Sequence, residues 1–431
     1  VLKMEQRLMI LGSMDEFIEL VNKAKKRGIY TVVCDGYPDG PAKKYADKAY
    51  DIDIRKVDEI VEVCRIEKIN GIIASFSDIL FEYLVKIAEK AGLKTYCTSE
   101  KSVYLRAKSE MKKMFDELEI PTPKSRKIHR GFKEEEIKDF SYPVVIKPVN
   151  GYGSRGIYIV DSIEEIRKLF DRVSQYSTYP DDILIESYND GLEFNMMNWM
   201  ADGEVYTLGL ADREKSVEIK GDIPHVSRVC YPSRVIDVVY EEARRIIKKV
   251  ADYTGIQTGP LSMQFFYKAG QGIEVCECAG RLFGYEHELV TYGSGFDIEE
   301  LLLDYVYDEE RMKEKLKVHD AHFPKHSAGL YFHGYEGKVC DLSEAVKVIK
   351  DIHPVQQMLY YKKGEVVGHG IGAKPYLARL YLQAETREEI DQLSQEAFED
   401  FKVIGENGQN LVYHNQIPDY YETVEKQLRE R

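Results

Sequence analysis

The chain has 431 residues, 60 basic and 74 acidic, and so a formal net charge of −14. That balance argues against general binding to nucleic acid or to an anionic membrane surface, while leaving room for a local basic pocket for phosphates. The length implies roughly two to four structural units, and an apolar fraction of 44% is enough for real cores. No apolar run approaches the ~18 residues of a membrane span. The opening VLKMEQRLMILGS lacks the length and flanks of a signal peptide, so a cytoplasmic protein is the expectation. The seven cysteines are odd in number and scattered. Cys276-x-Cys278 would point the same way in a strand but flank nothing that resembles a zinc knuckle. Free thiols in a reducing compartment are the reading.

Arg7 to Leu11 reads as a short apolar strand ending at Gly12. Ser13 can cap a helix whose apolar face carries Phe17, Ile18, Leu20, Val21 and Ala24, and Gly28 stops it. Tyr30-Thr31-Val32-Val33-Cys34 is the next strand, closed by Asp35. A helix with Val57, Ile60, Val61 and Cys64 leads to the strand Gly71-Ile72-Ile73-Ala74. A further helix with Leu80, Leu84 and Ile87 leads to a strand at Lys94-Thr95-Tyr96. Such alternation with short connections predicts a parallel α/β sheet. Asp35 lies where a dinucleotide-binding protein keeps its ribose acid, yet the first turn has one glycine rather than three. A Rossmann-like layer that does not bind NAD is the expectation.

Helical periodicity resumes at about Ser102, with Lys108 early in RAKSEMKKMF, and ends before Ile120-Pro121-Thr122-Pro123, where the prolines favour extended chain. Next comes YPVVIKPVNGYGSRGIYI, residues 142–159, holding Gly151-x-Gly153-x-x-Gly156. A dinucleotide fingerprint needs a helix after its glycines. Here strands stand on both sides, so the segment predicts a hairpin with a tip almost free of side chains. Such a tip can offer backbone N–H groups to a polyphosphate, with the Lys147 ammonium on the same phosphates. A glycine-rich surface hairpin with a solvated lysine is the competing reading. Ser162 and Glu165 form a capping box for a helix over about residues 163–173. Asp182-Ile183-Leu184-Ile185-Glu186 is then a strand ending in a carboxylate, and Glu193 follows past Gly191. An exposed strand edge suits the donor and acceptor of an adenine edge, and a nearby carboxylate can accept from ribose hydroxyls. Ordinary exposed glutamates are the alternative.

Ser262–Phe266 and Gly272–Glu277 read as antiparallel strands that bring Gln264 near Glu277, and they lead into Ala279-Gly280-Arg281. A carboxylate holding Mg²⁺ beside a guanidinium is an arrangement suited to phosphoryl transfer. From about residue 325 the chain reads as a smaller α+β unit, with a strand over residues 377–384. There Thr386 and Glu389 box the start of a helix that turns Ile390, Leu393, Phe398 and Phe401 inward. His319, His322 and His326 surround Pro324, which argues against a helical metal site.

Taken together, the helix with Lys108, IPTP, the strand with Lys147, the glycine hairpin, LIES…GLE and VCECAGR resemble the ATP-grasp superfamily, in particular its carboxylate–amine ligases, whose relatives include biotin carboxylase and the purine-biosynthesis ligases. The resemblance covers nearly the whole chain and is most specific over residues 102–285. It implies an α/β fold class. A Rossmann-like N-terminal domain (1–101) precedes a central ATP-grasp domain (102–324, lid subdomain about 126–200), whose two α+β subdomains clasp ATP. A small C-terminal α+β domain (325–431) follows.

The resemblance also implies roles. Lys108 and Lys147 would contact the ATP phosphates, beneath a hairpin that includes Gly151, Gly153, Ser154 and Gly156. Glu186, Ser187 and Tyr188 would form the adenine hinge, and Glu193 would bind ribose. Glu277, with Gln264, would hold Mg²⁺ (or Mn²⁺), and Arg281 would steady the transferred phosphoryl group. Lys215, Lys220, His225, Arg228 and His287 lie in segments that in this family approach the acceptor pocket, with His225, Arg228 and His287 as the substrate candidates. The family usually has an acid where Gln264 stands and often Asn where Ala279 stands, which puts a two-metal arrangement in doubt. An ATP-dependent ligase acting on a small carboxylate and an amine is the expected function, without nucleic acid or membrane and with a homodimer left open. A nucleotide-binding protein without turnover is the alternative.

Overall fold

The computed structural model describes residues 5–150, 156–217, 224–369 and 374–420. The N-terminal sheet is parallel, with Arg7–Leu11 at its centre. Tyr30–Asp35 and then Lys48–Asp51 lie on one side of it and Gly71–Ile73 on the other. Lys48–Asp51 escapes sequence reading because KAYD is a short, polar edge strand with little to bury. The strand expected at Lys94–Tyr96 does not form. Instead the Lys94 ammonium binds Tyr305 O at 2.7 Å and lies over the Tyr305 ring, while Tyr96 is buried edge-on to Trp199. Tertiary packing overrides β-propensity there. At the end of the second strand, Asp35 is taken up by Ser13 Oγ, by the Lys43 ammonium at 2.9 Å and by Tyr37 N at 3.0 Å. Its carboxylate is therefore occupied within the domain.

The helical run expected from Ser102 is broken. A short turn over Ser99–Ser102 ends in 3₁₀ geometry at Val103–Leu105, and a new helix, Lys108–Glu117, begins at Lys108 itself. Lys108 thus stands at a helix start rather than within one.

The lid is a four-stranded antiparallel sheet in the order Ser125–His129, Asp182–Ser187, Val144–Pro148, Tyr158–Val160. Helix Ile163–Ser174 packs on one face. Ser162 Oγ accepts from Glu165 N, and the Glu165 carboxylate reaches back one residue further than a standard box, to Asp161 N at 2.9 Å. Val144 and Ile146 join Ile166, Phe170 and Ile185 in a core separate from the rest of the molecule. Alternation then turns Val145 and Lys147 to the opposite face. Gly156, at positive φ, lies so close to the Tyr176 ring that a Cβ would stand 2.7 Å from it.

The main sheet has eight strands, all antiparallel, in the order Gly272–Ala279, Gly259–Lys268, Leu192–Ala201, Glu204–Lys215, Val226–Tyr231, His326–Phe332, Ala378–Ala384, Gln356–Leu359. It runs without interruption through residue 324, because Cys230 pairs with Ala328 and Val229 with Gly329. The lid sheet ends at Ser187, and Leu192–Ala201 already belongs to this larger sheet. N-terminal and central segments share one core, in which Leu8, Phe81, Trp199 and Leu301 all sit, whereas the C-terminal residues Phe332, Ile390 and Phe401 form their own. The Thr386–Glu389 capping box is present. No helix among the described residues is long and apolar enough to cross a membrane.

Candidate active site

Two faces meet at a cleft, the inner face of the lid and the Gly272–Ala279 end of the main sheet. On the lid, Val145 pairs with Glu186 and Lys147 with Leu184, so Lys147 and Glu186 are diagonal neighbours on one face. The Lys147 ammonium lies 2.7 Å from the Glu186 carboxylate, and Lys112 Nζ approaches the same carboxylate at 3.6 Å. Burial works against both charges of the first pair, but each partner outweighs it. Lys147 is held above the ordinary lysine range and Glu186 below the ordinary glutamate range. Lys108 and Lys112, one helical turn apart, share this field. Burial and the Lys147 charge push their pKa values down. Ser187 closes its strand with N–H to Lys124 O at 2.9 Å, and Tyr188 beside it is exposed.

The floor comes from four adjacent strands. Glu193 is enclosed by the Arg213 guanidinium, by Lys215 Nζ at 2.7 Å and by the side-chain amide of Gln264. Burial opposes its charge, but Arg213 and Lys215 keep the carboxylate below its usual range. Gln264 stands opposite Glu277 in the strand register, as the hairpin reading expects, yet its amide turns to Glu193. The register shifts there, leaving Cys276 as the extra residue of a β-bulge. Cys276 and Glu277 therefore both face the cleft, while Cys278 enters the core. The expectation that the two cysteines point the same way fails because the bulge breaks the two-residue period. Burial pushes the Cys276 thiol up to about 12, so it is an inert neutral group. Among the described residues the half-buried Glu277 carboxylate takes part in no hydrogen bond or ion pair.

Arg281 is fixed by an aspartate that sequence reading passes over. Its Nε lies 2.8 Å from Asp78 Oδ1 and its Nη2 3.0 Å from Asp78 Oδ2, a two-point pair with the first turn of helix Asp78–Ala91. Beyond Arg281 the chain turns past Gly284 against Glu16, whose carboxylate accepts from Tyr285 N at 3.1 Å. Glu286 accepts from Tyr231 Oη at 2.5 Å and Asn195 Nδ2 at 2.8 Å.

The acceptor-side candidates separate. Arg228 is wholly buried, bonded to Glu214 through Nε at 2.6 Å and Nη2 at 3.0 Å and paired with Asp391 at 2.8 Å. His287 is likewise enclosed, with Nε2 2.8 Å from Glu299 and its ring stacked on Phe76. Burial would lower its pKa, but Glu288 and Glu299 raise it to about 9. These two residues serve internal ion pairs rather than an open pocket, a correction that spacing could not supply. His225 stacks on His333 with ring centres 4.5 Å apart and tilts against Tyr413. Lys215 belongs to the Glu193 cluster. Gly151, Gly153, Ser154 and Lys220 lie outside the described residues. His319 and His322 bond to Leu208 O and Asp237 respectively, and no group of three or more His, Cys, Asp or Glu side chains suited to a metal occurs among the described residues. Among the described residues of the floor, Glu277 is left with a carboxylate outside any hydrogen bond or ion pair, beside the neutral Gln264 and an Ala279 that cannot ligate.

A family model for the ATP-grasp domain matches residues 140–287. The chain is 24% identical over 272 residues to a formate-dependent phosphoribosylglycinamide formyltransferase of Wigglesworthia glossinidia brevipalpis. That match covers 61% of this chain and 66% of the relative, so the chain spans just under two thirds of that relative's length. Among solved structures, an L-amino acid ligase from Bacillus licheniformis superposes with a TM-score of 0.77 at 17% identity, covering 94% of this chain and 100% of that one. The N5-carboxyaminoimidazole ribonucleotide synthetase from Thermotoga maritima gives 0.69 at 17% identity over 93% and 100%. The fold is that of a multidomain ATP-grasp protein.

Proposed function

We propose, on the premise that this chain carries an ATP-grasp domain in the architecture of the carboxylate–amine ligases, that it is an ATP-dependent ligase. It joins a small carboxylate to an amine and releases ADP and phosphate. The observation that carries the reading is the unpartnered Glu277 carboxylate, set in a cleft whose lid supplies Lys147 and whose floor supplies an aspartate-aimed Arg281. In a chain of net charge −14, this local concentration of Lys108, Lys112, Lys147, Arg213 and Arg281 suits a polyphosphate.

A carboxylate acylates poorly because its leaving group would be oxide. Transfer of the γ-phosphoryl group of ATP to a carboxylate oxygen gives an acyl-phosphate. The amine nitrogen then attacks the carbonyl carbon, the C–O bond breaks and phosphate leaves. Glu277 is the residue that would hold Mg²⁺, with Gln264 a neutral neighbour, and the ion would supply charge neutralisation to the phosphates. Lys147 and Lys108 receive phosphate charge from the lid side and the helix start. Arg281 meets the charge that develops on the transferred group. Glu186 through Tyr188 border the adenine and Glu193 the ribose, while the lid sheet excludes water from the intermediate.

The displacement of an acid by Gln264, bonded to Glu193, favours a second reading: nucleotide binding without turnover. The test is release of ADP and phosphate from ATP and Mg²⁺ with pooled amino acids and small carboxylic acids, with and without amines. Release that needs one acid and one amine, with a product mass equal to their condensation, supports the ligase. ATP binding with no release from any pool supports the second reading.

A further inference from the structure

The loop that follows Arg281 meets a further carboxylate from the N-terminal domain. Glu16 sits on the turn after the first strand, against Gly284, with one carboxylate oxygen on Tyr285 N and the other without a hydrogen bond among the described residues. Its side chain is half-buried rather than sealed from solvent. The other acids nearby are committed. Asp15 accepts from Tyr285 Oη at 3.0 Å and Arg379 Nη2 at 3.2 Å, Glu288 receives Tyr381 Oη at 3.1 Å, and Glu286 is satisfied by Tyr231 and Asn195. Next to Glu16 stands an aromatic wall in which Tyr376 packs edge-on to Tyr285 and against Tyr331, Tyr360 and His333.

We propose that Glu16 receives the amine substrate as its ammonium ion and removes the proton that blocks attack, and that the aromatic wall beside it takes an aromatic or apolar body carried by that amine. This rests on the ligase reading. The proton passes from nitrogen to the Glu16 carboxylate, giving a neutral amine and a carboxylic acid. The nitrogen lone pair then forms the C–N bond as phosphate departs with the C–O electrons, and the phosphate takes the second proton. Glu16 is suited to this because burial, with Glu288 and Asp15 adding to it and His287 and Arg379 opposing, raises its pKa to about 8. Tyr285, Tyr376 and Arg281 are the remaining titratable groups in its field. An amine leaves its proton more readily on such a carboxylate than on an ordinary one.

Hydroxylamine separates this inference from the reading beneath it, because it is uncharged at neutral pH and captures acyl-phosphates without a base. Wild-type protein and Glu16→Gln are given ATP, Mg²⁺ and pooled carboxylic and amino acids. The nucleophile is either hydroxylamine or a primary-amine pool of benzylamine, phenethylamine and amino acids. The expected result is an amide-to-hydroxamate ratio lowered roughly 100-fold in the variant and partly restored by Glu16→Asp. In the wild type that ratio rises with pH and levels near pH 8, which decides the matter if Glu16→Gln does not fold. An unchanged ratio, a wild-type profile with no break near 8, or hydroxamate without amide from any primary amine overturns the role of Glu16 and leaves the ligase standing. No hydroxamate from any acid overturns both.

Discussion

Arg281 and Asp78, 203 residues apart in the chain, form a two-point ion pair at 2.8 and 3.0 Å. The guanidinium proposed to meet the transferred phosphoryl group is thus aimed from the N-terminal domain. The Asp78 carboxylate stays below its ordinary range because Arg281 beside it outweighs the cost of burial. Asp78→Asn keeps one acceptor and removes the charge, so Arg281 remains in place but less tightly oriented. The expected loss is about 1–3 kcal/mol of transition-state stabilisation, or about 5- to 150-fold in kcat. The KM for ATP stays within about threefold if Arg281 acts on the transferred group. A rise in KM at unchanged kcat would place the pair in ground-state nucleotide binding instead.

Lys147 and Glu277 are the sharpest tests of the site. Lys147→Ala removes the ammonium and leaves Glu186 with Lys112 at 3.6 Å as its nearest cation. Glu277→Ala removes a carboxylate that no described group hydrogen-bonds or ion-pairs. Each variant is expected to lose ATP turnover with its circular dichroism unchanged. Their stabilities should diverge: Lys147→Ala leaves a buried carboxylate poorly compensated and melts lower, whereas Glu277→Ala does not. Wild-type-like turnover in either one removes that residue from the mechanism.

Two neighbours of these residues went unread in the sequence although nothing hid them. Lys112, one turn from Lys108, and Arg213, two residues before Lys215 on the same strand face, obey periodicities that were there to be read. Asp78 and Glu16 carry no such signal, because only tertiary packing brings the N-terminal domain to the loop after Arg281. The bulge at Cys276 likewise leaves no mark in an alternating strand pattern. His287 and Arg228 lie in segments expected from the resemblance to approach the acceptor pocket, but burial next to Glu299 and Glu214 decides where they point. Order and type of the long elements were legible; the Lys94–Tyr96 strand was not, since a core tyrosine pair competes for it.

Gln264→Glu tests the departure from the family pattern. The new carboxylate would face Glu193, losing the amide hydrogen bond at a cost of about 1 kcal/mol and adding a like charge. It would also stand opposite Glu277 in the register, where a cation could be shared. The expected outcome is a lower melting temperature without Mg²⁺, recovered by Mg²⁺ and ATP, and Mg²⁺-dependent turnover kept or raised. A clear loss of turnover at saturating Mg²⁺ would mean that position 264 serves the substrate.

Arg228 offers the converse test, of a residue read first as a substrate contact and placed by the structure in an internal cluster. Its guanidinium joins Glu214 and Asp391, while Arg387 bonds Asp212 at 2.8 Å and Glu214 at 3.3 Å, and Tyr420 Oη donates to Glu214 at 2.6 Å. The cluster ties two strands of the main sheet to the helix Arg387–Asp400. Removing one partner of a buried pair leaves uncompensated charge, so Arg228→Met is expected to cost roughly 3–5 kcal/mol in urea denaturation. Its folded fraction should keep the wild-type KM for every substrate. Arg228→Met combined with Glu214→Gln removes both charges and should recover part of the stability, as coupled partners do. A protein of unchanged stability with a raised KM for the carboxylate would return Arg228 to the acceptor pocket.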